Sequence, residues 1–120
     1  MSENIIIITP APKITFTVKA TDAETMLHDL QAAVDGYIEI VRPFGSSGGH
    51  LVMVVNDEGL LRDLPANSIG SLLYGDMIAG TVVIMKEGFR DGEPDLIGLT
   101  DEEADFIMRL FGGANNGKDV

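Results

Sequence analysis

The chain has no cysteine, few bases and no long apolar run. Without thiols, disulfides, a cysteine nucleophile and thiolate-held zinc are excluded. A reducing cytoplasm suits such a chain. The longest aliphatic run, Ile5 to Ile8, is far too short to span a bilayer. No basic stretch precedes it, so it does not read as a secretion signal. The expectation is a cytoplasmic protein without membrane contact. Against 8 bases stand 19 acids, for a formal charge of −11. Such a field repels nucleic-acid phosphates, which argues against direct DNA or RNA binding. It attracts basic surfaces, including the nucleic-acid grooves of other proteins.

What is present suffices for a folded domain. At 120 residues, with 45 % hydrophobic and 22 % charged, the chain is one globular domain. Its core is expected over about residues 13–111, with 1–12 and 112–120 peripheral or frayed. KITFTVK at 13–19 alternates with period two, as a half-buried strand does. IIIITPAP before it gives a possible short strand and then a stop, with Pro10 and Pro12 suited to an edge or a connector. Thr21 and Glu24 have capping-box spacing and open a helix whose apolar stripe is Leu27, Leu30 and Val34, with Met26 beside it and Gly36 as its stop. YIEIVRPF at 37–44 reads as a strand, GSSGG at 45–49 as a hairpin connection, and LVMVV at 51–55 as a central strand apolar on both faces.

The stretch from Val54 to Asp76 is polar and turn-rich, yet it holds Leu60, Leu61, Leu64, Ile69, Leu72 and Leu73. That is too much apolar surface for a free loop. A packed connector is expected, with Asn67 or Ser68 capping a short helix that Gly75 stops. MIAGTVVIMK at 77–86 reads as a strand in which Gly80 marks a bulge or a close backbone approach, and 87–98 as a loop. Thr100 and Glu103 again have capping-box spacing, opening a helix with Phe106, Ile107, Leu110 and Phe111 buried and Gly112 as its stop. The sum is an α+β fold: a small, partly antiparallel sheet of about four strands with two helices packed on it. Its expected core is Ile14, Phe16, Val18, Leu27, Leu30, Ile38, Ile40, Val52, Val54, Val82, Ile84, Ile107 and Leu110.

No catalytic signature emerges. His28 and His50 lack neighbours suited to a metal triad, no serine stands in a nucleophile elbow, and GSSGGH lacks the lysine and helix of a phosphate loop. Neither a cofactor, a metal nor a catalytic residue is assigned, and the chain is not expected to be an enzyme. The strongest functional signal is acidic: Asp91, Glu93, Asp95, Asp101, Glu102, Glu103 and Asp105 follow one another with no base between. Acids at 101–103 suit a helix's first turn. Asp91, Glu93, Asp95, Glu102 and Asp105 are therefore the candidate residues for binding a basic protein. The alternative is a small, nucleotide-like ligand held at the 56–76 connector by Asn56, Asp57, Glu58 and Asn67.

GYIEIV (36–41), LVMVVNDEG (51–59), LPAN (64–67), LYGD (73–76) and IAGTVVI (78–84) resemble a family of short domains found in bacterial, plasmid and phage genomes, domain of unknown function 3846. The likeness spans about residues 13–86 and rests on fold motifs, so it assigns no functional residue. It implies a phage or mobile-element setting. Small acidic proteins there often act by binding, and sometimes inhibiting, a host nucleic-acid-binding or defence protein.

Overall fold

A computed structural model describes residues 3–43 and 50–111. Six strands and three helices follow in the order β1 (Glu3–Ile8), β2 (Phe16–Thr21), α1 (Met26–Val34), β3 (Ile38–Val41), β4 (Leu51–Asn56), α2 (Ser68–Tyr74), β5 (Val82–Arg90), β6 (Glu93–Ile97) and α3 (Asp101–Leu110). All strands belong to one sheet, ordered β2-β1-β5-β4-β3, with β6 also pairing β5. Every pairing is antiparallel. The fold is α+β, with more elements than the expected four strands and two helices.

The extra strands have clear causes. Ile5, Ile6 and Ile8 are fully buried, and β1 lies between β2 and β5. The expectation that 1–12 is peripheral is thereby corrected for β1: an aliphatic run buried on both faces belongs inside a sheet. The expected loop at 87–98 is a hairpin instead. β5 starts at Val82, later than the expected Met77, and runs to Arg90. It turns through Asp91 and Gly92, both at positive φ, and pairs Arg90 with Glu93. The expected connection at 45–49 and the stop at Gly112 lie outside the described residues.

Side chains on the two faces of the sheet form two cores. Ile6, Ile8, Met53, Val55, Val82 and Ile84 face Ala104 and Ile107 of α3, with Ile69 and Leu73 of α2 packed alongside. On the opposite face Ile5, Val52, Val54, Val83 and Met85 meet Met26, Leu30 and Val34 of α1. β4 contributes to both, as its unbroken apolar run requires.

The helix starts differ from one another. Thr100 and Glu103 form a complete capping box at α3. At α1 the expected Thr21–Glu24 box is absent: Thr21 belongs to β2, and Asp22 Oδ1 accepts instead from the amides of Glu24 and Thr25. The left-handed residue ending α1 is Asp35, at φ 61, in place of Gly36. Ile14, Val18, Leu27, Ile40 and Leu110, expected in the core, are exposed. β2 is an edge strand with little above it, and the buried stripes of α1 and α3 are rotated from those expected. Phe16 and Ile38 are half-buried, Phe16 stacking on Phe111 with centroids 4.9 Å apart.

Candidate functional site

Folding separates the acidic run into two groups and neutralises part of each. Asp91 lies in the β5–β6 turn, and Glu93 and Asp95 lie on β6. Asp95 Oδ2 accepts from Arg90 Nε at 3.1 Å. On α3, Asp105 pairs with Arg109 one turn on at 3.2 Å, and Asp101 accepts from the buried Asn4 amide at 2.8 Å. Glu103 accepts from Lys86 Nζ at 2.8 Å. That lysine, then the Thr100 amide, holds the Glu103 carboxyl below its ordinary range. Asp91, Glu93 and Glu102 are exposed, and none is in an ion pair among the described residues. A run without bases in sequence is thus flanked in space by Lys86, Arg90 and Arg109.

The connector's two asparagines are structural. Asn67 is 1 % exposed. Its amide donates to the Ile8 and Gly80 carbonyls at 3.0 and 2.9 Å, and its oxygen caps α2 by accepting from the Gly70 amide. Asn56 donates to the carbonyls of Val34 and Asp35 and accepts from the Glu58 amide. Each side-chain amide is committed to backbone groups, and Asn56 also lines the groove beside β3. Asp57 and Glu58 are exposed.

The expected packing of the connector holds in part. The short helix forms with Asn67 as cap and Gly75 as left-handed stop, and Leu64 contacts the close-approaching Gly80. Leu60 and Leu61, however, are 62 % and 88 % exposed. With Tyr74 and Met77 they wall a groove of about 390 Å³ beside β3, floored by Val41, Val55, Ile78 and Ala79. Glu39, Asp57 and Glu58 line it, and none of the three is in an ion pair among the described residues. The surplus of leucine in 60–64 was the available signal for this surface. In sequence it reads only as packing of the connector, which Leu64, half-buried, fulfils and Leu60 and Leu61 do not.

A wider cleft of about 1170 Å³ lies where β5 outruns β4, between Phe89, Pro94 and His50. Its charged groups are matched in place, Arg42 with Glu87 and Lys86 with Glu103. His28 and His50 are exposed, and among the described residues no three His, Asp or Glu side chains gather as a metal site. Glu3 is held by both terminal nitrogens of Arg90, at 3.1 and 3.0 Å, and by the Gly98 amide. Arg90 is the main cause of its lowered pKa.

The strand pattern, the connector and the capping residues together define a small α+β domain. The chain belongs to the family described as domain of unknown function (DUF3846), whose profile matches residues 1–112. The match extends the likeness read from 13–86 to β1, β6 and α3. No curated protein matches the chain. The crystal structure of the small RNA methyltransferase HEN1 is similar over 86 % of this chain, with TM-score 0.57 and 14 % identity. The chain spans 15 % of that protein's length. At this identity the likeness concerns the fold alone. No described helix is long and apolar enough to cross a membrane.

Proposed function

We propose that the domain acts by binding a protein partner with a basic surface, without catalysis of its own. One observation carries this reading. Arg42, Arg62 and Arg109 are each tied to one of the domain's own carboxylates and Arg90 to two. Asp91, Glu93 and Glu102 still face solvent within a chain of charge −11. The negative field is therefore directed outward, where it steers a basic partner and fixes its approach. The family likeness favours a host protein in a cell carrying a phage or mobile element, with inhibition as the outcome.

The test is capture from bacterial lysate by the tagged full chain, compared with a variant in which Asp91, Glu93, Asp95, Glu102 and Asp105 are all changed to Lys. Basic proteins held at low salt, released at high salt and lost by the variant support the reading. Equal capture of the same proteins by both chains defeats it. A second reading, a small ligand at the connector, would use Asp57 and Glu58, with the amides of Asn56 and Asn67 already bonded to backbone. The groove's carboxylates oppose the phosphates of a nucleotide.

A further inference from the structure

We propose that the outer edge of β3 accepts an extended segment of the partner as an added strand, with Lys or Arg side chains alternating into the acid-rimmed groove. The inference rests on the protein-binding reading and names a surface that this reading does not assign.

The backbone supplies the first argument. Asp57 N–H donates to the Tyr37 carbonyl at 3.0 Å. Pairing along β3 alternates in an antiparallel ladder, so Tyr37, Glu39 and Val41 turn their backbone groups toward β4. Ile38 and Ile40 turn theirs outward. Among the described residues no strand lies beyond β3. An open row of donors and acceptors is a template for strand addition.

The side chains supply the second. A strand laid on this edge alternates its side chains between the sheet's two faces. One set meets Ile38 and Ile40, the latter 42 % exposed. The other enters the groove between Val41, Tyr74 and Met77, at whose rim stand Glu39, Asp57 and Glu58. Apolar walls below a carboxylate rim fit a side chain with a long methylene stem and a cationic end, which is Lys or Arg. The first set is best filled by Val or Ile.

Charge decides among occupants. A second copy would bring Glu39 against another Glu39 in a pair of chains each carrying −11. The opposite edge strand, β2, carries Lys19 and repels the same cationic segment. A basic, alternating segment therefore favours β3 over β2, and Pro94, which has no N–H, interrupts the side of β6 away from β5.

The probe is a synthetic peptide of about ten residues alternating Arg and Val, a strand long enough to cover β3. A control of the same composition has its Arg and Val in two separate blocks. Both are titrated into the isotopically labelled full chain at low and high salt, with amide shifts and hydrogen exchange recorded. The expected result is shifts at β3, Asp57–Leu61 and Tyr74–Met77, slowed exchange at Ile38 and Ile40, and at least about tenfold weaker binding of the block peptide, since alternation alone separates the two. Ile40→Pro removes an outward N–H without touching the β4 ladder and should weaken binding by a similar factor. The pair Glu39→Lys and Asp57→Lys, both surface changes, gives the same readout should the proline variant misfold. Equal binding of the two peptides overturns the proposal, as do shifts centred on Asp91–Asp105 or no binding at all. So does protection of Ile38 and Ile40 in the free chain that disappears on dilution, which means a second copy holds the edge. The two readings fail separately: lysate capture reports on the Asp91–Asp105 acids, and the peptide titration reports on β3.

Discussion

Asn67 joins three parts of the chain through one amide: the end of β1, the Gly80 approach and the start of α2. Removing it strands two buried carbonyls and a helix amide. Asn67→Ala should therefore cost about 3 kcal/mol, since each unsatisfied buried group costs roughly 1–3 kcal/mol and losses in one site are not additive. Chemical denaturation measures it, and a loss under about 0.5 kcal/mol would show that water replaces the amide. Its role as a cap was legible because Gly75 and the leucines stand at helical spacing around it. Its bond to Ile8, distant by 59 residues, was not, because nothing local encodes it. The same holds for Asn56, whose amide reads as a ligand group in sequence, whereas in the fold its nitrogen donates to the Val34 and Asp35 carbonyls and its oxygen accepts from the Glu58 amide. Gly70 adds a second residue-level expectation. A Cβ there would sit 2.6 Å from Val82 Cγ2, so Gly70→Ala should destabilise by about 1–3 kcal/mol through overpacking despite its better helix propensity.

Whole elements were legible where one signal dominated. β4 and β1 carry the same kind of signal, an apolar run without alternation. In LVMVV it reads as a central strand; in Ile5–Ile8 it reads as no more than a possible short strand outside the core, because the nearby prolines suggest an edge or a connector. Helix faces were harder. α1 offers Met26 or Leu27, and α3 offers Phe106 and Leu110 as well as Ile107, so two stripes compete on each. The sheet decides between them: Met26, at 6 % exposure, is chosen over Leu27, at 56 %. Met26→Ala should accordingly cost about 2–4 kcal/mol, and Leu27→Ala less than about 0.5 kcal/mol. Equal losses in thermal or urea unfolding would place the stripe elsewhere. The surplus leucines of the connector pose the same problem, since composition marks the segment as too apolar for a free loop but does not distinguish an inner apolar face from an outer one.

Two carboxylates tie elements together, Glu3 of β1 to Arg90 of β5 and Glu103 of α3 to Lys86 of β5. Both have pKa values lowered in the fold from an ordinary 4.5. A lowered folded pKa means stability that is present above that ordinary value and lost as pH falls through the folded one. Unfolding midpoints should thus drop once pH passes below 4.5, and Glu103→Gln should make that drop shallower. A Glu103→Gln profile parallel to the parent's down to full acid unfolding would show that the α3 tie contributes nothing.

At the scale of the whole molecule, charge acts on folding and on binding with opposite signs. The Cα radius of gyration is 13.6 Å, comparable with the Debye length of about 10 Å at 0.1 M salt. At low ionic strength each unpaired acid therefore feels most of the others, and the net −11 opposes the compact state. Salt also weakens the ion pairs, but the exposed ones are worth about 0–1 kcal/mol each, and the part-buried Glu3–Arg90 and Glu103–Lys86 pairs are screened less. Among the described residues, acids outside an ion pair outnumber the remaining bases, so relief of repulsion should win. The thermal midpoint should rise as NaCl increases from near zero to about 0.3 M, a range over which screening changes most. Over the same range, affinity for a basic partner or for the alternating Arg–Val peptide should fall. A protein stabilised by the salt that releases its partner separates the two effects, because a binding loss caused by unfolding would carry the opposite sign in the melting curve. A midpoint that falls with salt would mean that the Glu3–Arg90 and Glu103–Lys86 ties outweigh the surplus charge, and that the outward field is weaker than the formal charge implies.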